Sequence, residues 1–241
     1  MSSLYCGTIP GMISRSATDG AAVASTPDRV GAIALAKEFV RAKSRLTELS
    51  PELRQQLSWA MLLDTCVAVT AVADELVVVS DEPRLQQRLE PYVGQVTVLA
   101  DPGEMDAAVA AGAAALSAGP VDVQLAVVAD LPTLRSADVR HVAEQARRWG
   151  YVFVPDSEGT GTTMVASCGR RLTSRFGKGS AAAHRAAGAV PVAVELPTAR
   201  RDVDLPADLA AAALLSPGHH TARLIASNRP SPVKPVETPP A

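Results

Sequence analysis

Aromatic side chains are scarce here, only 3% of 241 residues. A core must therefore be assembled from Ala, Val and Leu, and the 47% apolar content supplies enough of them. Cysteine is nearly missing too. Cys6, Cys66 and Cys168 are odd in number and far apart. That excludes a disulfide framework or a thiolate metal site and points to free thiols in a reducing cytosol. No apolar run reaches the length of a membrane span. The N-terminus, MSSLYCGTIPGMISRSATDG, lacks the basic-then-apolar order of a secretory signal. A formal charge of −2 argues against wholesale binding to nucleic acid or acidic membranes, yet leaves room for a local basic pocket. The expectation is a cytoplasmic protein with small-molecule partners, no nucleic acid and no membrane. A homodimer is compatible with all of this.

What is present has the rhythm of an α/β domain. Residues 1–28 read as a flexible extension, and 228–241, NRPSPVKPVETPPA, as a proline-rich tail that sustains neither helix nor central strand. Between them, 29–227 form one domain. Strands are expected at 30–36, 75–80, 95–100, 123–129, 151–155, 162–167 and 191–196. Helices are expected after Ser50-Pro51, around 82–89, at 105–116, from a Ser136 cap to Gly150, and near 180–187. Continuously apolar strands alternating with helices imply a mainly parallel sheet covered on both faces. The close spacing of the last strands adds some antiparallel pairing.

Ligands of such sheets bind beyond the carboxyl ends of the strands, and four places qualify. LAKEFVRAKSRL follows the first strand, with Lys37, Arg41, Lys43 and Arg45 together. It can grip a triphosphate or be a solvated basic segment, and no P-loop glycine pattern accompanies it. VVADLPTL ends a strand on Asp130, a Mg²⁺ ligand or a turn residue. In RRDVDLPADL, Asp202 and Asp204 lie on one side of an extended chain and repel unless a cation is near, while Asp208 suits the following helix start. SEGTGTTMV and FGKGSAAAH are glycine-rich, suited to an anion or merely to tight turns. Lys178 and His184 add positive charge there, unless His184 is a first-turn surface residue. Neither Cys66 nor Cys168 has a histidine nearby in sequence to make it a nucleophile.

Taken in order, LAKEFVRAKSRL, AMLLDT, LADPG, VVADLPTL, GTGTTMV, FGKGSAAAH and RRDVDLPADL resemble one family. It is the guanylyltransferases that make the activated phospholactyl or phosphoenolpyruvyl intermediate of the deazaflavin coenzyme F-420. The similarity runs from about Val30 to Ser227. It implies an α/β, Rossmann-like three-layer nucleotidyltransferase fold of the glycosyltransferase-A type, with a mainly parallel, mixed sheet and helices on both faces. It implies GTP as donor, Mg²⁺ as cofactor, and a small phosphorylated acid as acceptor: phosphoenolpyruvate, 2-phospho-L-lactate or 3-phosphoglycerate.

By the same resemblance, Asp130, Asp202 and Asp204 hold the metal, and Thr162, Gly177, Ser180 and His184 bind the acceptor. Lys37, Lys43 and Arg45 face the nucleotide phosphates, with Asp130, Lys43 and Arg45 as the catalytic set. Two departures stand out. After DPG the family usually shows a Gly-Leu-Asn-like turn beside the nucleotide; here Glu104-Met105-Asp106 stand there, and ionised Asp106 only accepts hydrogen bonds. Leu205 replaces a common Thr and removes a helix cap. Glu104 and Asp106 favour a second reading, a related nucleotidyltransferase of secondary metabolism with another nucleotide or acceptor. A third is a non-catalytic paralogue that binds nucleotide or a partner protein.

Overall fold

The apolar strands assemble into one seven-stranded sheet in the computed structural model, which describes residues 29–39, 43, 45–116, 121–192 and 196–228. The N-terminal extension, Cys6, Arg41, the tail beyond Asn228 and residues 193–195 of the expected strand at 191–196 lie outside the described residues. The elements are β1 (Val30–Leu35), α1 (Pro51–Thr70), β2 (Glu75–Val79), α2 (Leu85–Val93), β3 (Thr97–Leu99), α3 (Met105–Ala115) and β4 (Val123–Val128). They continue with α4 (Ser136–Trp149), β5 (Tyr151–Pro155), β6 (Thr162–Cys168), α5 (Ser180–Ala186), β7 (Val190–Pro191), α6 (Pro206–Leu214) and α7 (His219–Ser227).

The sheet order is β3-β2-β1-β4-β6-β5-β7. Strands β3, β2, β1 and β4 pair in parallel, and β7 is parallel to β5. Only β6 runs against its neighbours, antiparallel to both β4 and β5. The mixed sheet expected from the close spacing of the last strands is therefore present.

Alternation along each strand divides the core in two. Ala32, Ala34, Leu125, Val127 and Met164 face a cluster that includes Leu63 of α1, Leu89 of α2 and Val142 of α4. Ile33, Ala126 and Val165 face the other way, against Val109 of α3 and Ala181 of α5. These are the three layers expected, held by small aliphatic side chains. Among the described residues no helix is long and apolar enough to cross a membrane.

Local signals explain most element ends. The Ser50 hydroxyl accepts the Leu53 N–H at 3.2 Å, and Pro51 opens α1. Gly150 ends α4. The expected cap of α4, Ser136, is instead its first helical residue; the start is held by the Asp138 carboxylate, which accepts the Arg135 N–H at 3.0 Å. Helix α2 begins at Leu85 rather than Glu82: Arg84 ahead of it takes a left-handed backbone at φ 57, and the Glu82 carboxylate instead accepts from the Phe39 N–H at 3.0 Å and from Arg88 at 2.8 Å. At α6, Asp208 accepts the Leu205 and Asp204 N–H groups at 2.8 and 3.1 Å, which supplies the cap that Leu205 cannot.

One tertiary cap matters for the site. Asp64, buried in α1, accepts the His220 and Thr221 N–H groups at 3.0 and 2.8 Å and so seats the start of α7. Its neighbour Thr65 exchanges hydrogen bonds with Leu131, at 3.2 Å to the carbonyl and 3.3 Å from the N–H. Helix α1 thereby fixes the chain next to Asp130.

Candidate active site

A cavity of about 490 Å³ opens where the parallel strands end. Ala36 and Lys37 follow β1, Val79 closes β2, and Ala129 and Asp130 follow β4. Because β6 runs in the opposite sense, its first residue, Thr162, reaches the same rim. Gly177 and Ser180, at the start of α5, complete that side, while Asp202 and Asp204 enter from the segment before α6. Six stretches distant in sequence thus meet around one space.

Lys43 is the hub. Its ammonium lies 2.5 Å from Asp130 Oδ2 and 3.1 Å from Asp204 Oδ1, with the side chain only 6% exposed. Burial alone would lower the Lys43 pKa, but the two carboxylates more than reverse this and raise it above the ordinary lysine value. Its backbone sits at φ 58, a left-handed conformation that costs about 1–3 kcal/mol in a residue with a side chain. Arg45 approaches Asp204 only to 3.9 Å and is 73% exposed. Burial pushes the Asp204 carboxyl up, yet Lys43, Arg45 and Lys37 together hold it below the usual range.

The expected three-aspartate metal set is not formed. Among the described residues no three His, Cys, Asp or Glu side chains are placed to hold one ion. The physical reason is Lys43, whose ammonium pairs with one oxygen of Asp130 and one of Asp204. The remaining oxygen of Asp130 and the Asp202 carboxylate still fit a divalent cation. Asp130 Oδ1 is buried without a hydrogen-bond partner. Burial and the neighbouring Asp130 charge push Asp202 up to about 6. Two facing carboxylates with an unsatisfied oxygen suit Mg²⁺, which takes few protein ligands and completes its shell with water and phosphate.

The opposite side is built from hydroxyl and peptide groups. Asp156 accepts the Thr160 and Gly161 N–H groups at 3.0 and 2.8 Å, and this closes the glycine-rich turn ahead of β6. A side chain at Gly161 would strike that carboxylate. Gly177, at φ 120, makes the turn into α5 that a larger residue would resist. Arg200 braces the far side by donating to the Pro155 and Asp156 carbonyls at 3.0 and 2.6 Å.

Two expected contacts are corrected. Asp106 does not face the cavity; its Oδ1 accepts from the Ser174 hydroxyl at 2.6 Å and the Phe176 N–H at 2.8 Å. His184 is neither a surface residue nor a wall of the cavity but fully buried. Its Nε2 accepts the Arg175 N–H at 3.0 Å, and its Nδ1 lies 2.9 Å from the Ser180 carbonyl and 3.0 Å from Thr162 Oγ1. Burial holds its pKa below the ordinary histidine value. Cys66 is also buried, which pushes its thiol up to about 12 and removes it as a nucleophile.

Residues 31–189 match the family described as guanylyl transferase CofC like. The chain belongs to that family. It is a nucleotidyltransferase, as the names of its relatives agree. It is 39% identical over 195 residues to a phosphoenolpyruvate guanylyltransferase of Thermomonospora curvata, covering 79% of this chain and 86% of the relative. It is 39% identical over 208 residues to one of Nocardia farcinica, covering 83% and 92%. Among solved structures, 4-diphosphocytidyl-2C-methyl-D-erythritol synthase of Anaerococcus prevotii superposes with a TM-score of 0.53 at 15% identity, over 78% of this chain and 98% of that one. The likeness at that identity is one of fold.

Several residues of this CofC-like site were not singled out from sequence. Asp101 and Asp156 both line the cavity, as do Phe39, Ser58, Met61 and Phe176. The two aspartates carried the signal that marked Asp130, a carboxylate straight after an apolar strand: TVLAD and YVFVPD read like LAVVAD. The apolar and hydroxyl residues carried none, because nothing in a local pattern distinguishes a cavity wall from a core.

Proposed function

We propose that this CofC-like chain transfers GMP from GTP to the phosphate of phosphoenolpyruvate and releases pyrophosphate, in the biosynthesis of deazaflavin coenzyme F-420. The observation that carries the reading is the joining, in one cavity, of Lys37, Lys43 and Arg45 with Asp130 and Asp202 and with the anion cradle at Thr162, Gly177 and Ser180. Phosphoenolpyruvate is preferred because the relatives carry its name; 2-phospho-L-lactate and 3-phosphoglycerate present the same two anionic groups.

The chain's own residues have mainly to align and neutralise. Lys37, Lys43 and Arg45 grip the triphosphate, and their charge offsets that gathering on the leaving pyrophosphate. Thr162, Ser180 and the peptide groups around Gly177 hold the acceptor in line. A phosphate oxygen of the acid attacks the α-phosphorus of GTP. The bond from that phosphorus to the bridging oxygen breaks, and pyrophosphate leaves with the electron pair. No protein base is required, since the attacking phosphate is already ionised at neutral pH. Asp130 and Asp202 would hold Mg²⁺, which supplies further charge neutralisation when bound.

Of the two residues that favoured another nucleotide or acceptor, Glu104 and Asp106, the Asp106 carboxylate is turned to Ser174 and Phe176. The test is a panel of four nucleoside triphosphates against the three acids, with and without Mg²⁺, read as pyrophosphate. Release is expected with GTP, Mg²⁺ and phosphoenolpyruvate together. Equal release with CTP, or release independent of any acid, would overturn the proposal.

A further inference from the structure

We propose that Asp106 and His184 are positioning residues for the acceptor acid: they pin the segment from Ser174 to Phe176, and His184 turns the Thr162 hydroxyl proton toward the cavity. The inference rests on the acceptor lying against Thr162, Gly177 and Ser180.

The argument begins with the imidazole. A peptide N–H can only donate, so the Arg175 N–H at 3.0 Å requires an unprotonated Nε2. A neutral ring then carries its proton on Nδ1. The Ser180 carbonyl, 2.9 Å from Nδ1, can only accept, and it agrees with that tautomer. Thr162 Oγ1 is 3.0 Å from the same nitrogen. With Nδ1 protonated, that nitrogen has no lone pair to offer, and the threonine oxygen shares the Nδ1 proton as an acceptor. The hydroxyl's own proton is left to donate elsewhere, and Thr162 borders the cavity. An anion there meets a donor already aimed at it, which avoids the cost of reorganising a free rotor.

Two aromatic neighbours hold the ring's plane. Phe153 stacks on it at 5.5 Å between centroids and 19° between planes, and Phe176 meets its edge at 5.7 Å and 82°. Asp106 completes the bracket from the other side of the segment by holding Ser174 and the Phe176 N–H. The segment is thus tied to α3 by Asp106 and to α5 by His184, and Gly177 follows immediately.

Two measurements on the full-length chain test the proposal. The ¹⁵N shifts of His184 in uniformly labelled protein are expected to show Nδ1 protonated and Nε2 bare; the reverse tautomer overturns the proposal. Kinetics with GTP and phosphoenolpyruvate are the second measurement. Asp106→Ala and His184→Gln are each expected to raise the KM for the acid about tenfold, the scale of one hydrogen bond to a charged group. The KM for GTP and kcat should stay within about twofold. Asp106→Asn, whose amide oxygen still accepts, should recover most of the loss. Because His184 acts in part through Thr162, the pair Thr162→Val with His184→Gln should cost less than the two single changes combined. Both KM values rising together, or kcat falling with the folded fraction, overturns the proposal. Wild type inactive on GTP and phosphoenolpyruvate would defeat the functional reading instead, and the tautomer would then decide the inference alone.

Discussion

The two walls of the cavity are held by different forces. On the basic wall, Lys43 sits between Asp130 and Asp204, and the chain at Phe39 is tied down by Glu82. Arg88 secures Glu82 and lies over the rings of Trp59 at 4.3 Å and Phe39 at 5.5 Å. Charge does most of this work. On the hydroxyl wall, the restraints are mainly hydrogen bonds and stacked rings around His184, with Asp106, Asp156 and Arg200 contributing charge through bonds to peptide and hydroxyl groups. The difference suits the two tasks. Ion pairs can be exchanged, so an incoming triphosphate can take over Lys43 from its carboxylates. A buried hydrogen-bond network resists exchange, which is what a small acid needs to be oriented by few contacts.

If that contrast is right, substitutions on the two walls should produce separable effects. The largest is expected at Asp130, which pairs with the hub lysine and belongs to the proposed cation site. Asp130→Ala should lower pyrophosphate formation about 100- to 1000-fold, the scale of one lost transition-state contact. A rate within about threefold of wild type, measured at saturating substrates, would remove Asp130 from the machinery.

Next comes Glu82→Ala, which frees the Phe39 N–H and unpairs Arg88. The KM for GTP should rise about tenfold and that for the acid should not move. Steady-state titration of each substrate checks this, and equal changes in both would merge the two walls into one.

The hydroxyl wall should contribute a pH-dependent effect on stability that one substitution can isolate. Burial keeps the folded-state pKa of His184 below its unfolded value of about 6.5, with Asp106 opposing and Arg175 reinforcing the shift. The unfolded chain therefore binds the proton first on acidification. The His184 contribution is complete above that unfolded value and is lost as the pH falls below it toward the folded one. Denaturant unfolding of wild type and His184→Gln across this range should show their difference shrinking in acid. A constant difference would mean that the ring does not need to be neutral.

The smallest effect belongs to Arg45, whose pair with Asp204 is long and exposed. Arg45→Ala should change stability by less than about 1 kcal/mol. A larger shift in the denaturant midpoint would make Arg45 part of the wall rather than a group available to phosphate.

The fold was readable because its strands are continuous apolar runs such as VGAIAL and VQLAVV, and its turns carry Ser-Pro and Gly at the right places. What escaped was anything decided by a distant partner. Glu82 looks like a helix start until Phe39 claims it. Ser136 looks like a cap until Asp138 does the capping. In the site, strand-end rules brought out Asp130, and equal spacing brought out Asp202 and Asp204, but only tertiary contact shows that Lys43 stands beside Asp204. Asp106 and His184 are correct in neighbourhood and wrong in direction, since spacing says where a side chain starts and not which way it faces.

The reversed strand has one more consequence. Strands β5 and β6 form a hairpin whose turn, 156–161, is local in sequence, whereas β1, β2 and β4 are joined by long crossovers through helices. Short as it is, that turn is fastened from two sides: the Ala181 N–H donates to the Thr160 carbonyl at 3.1 Å, and Arg200 donates to the Asp156 carbonyl at 2.6 Å. A change in its length would therefore be felt at the start of α5 and in the segment ahead of α6, on two flanks of the cavity at once.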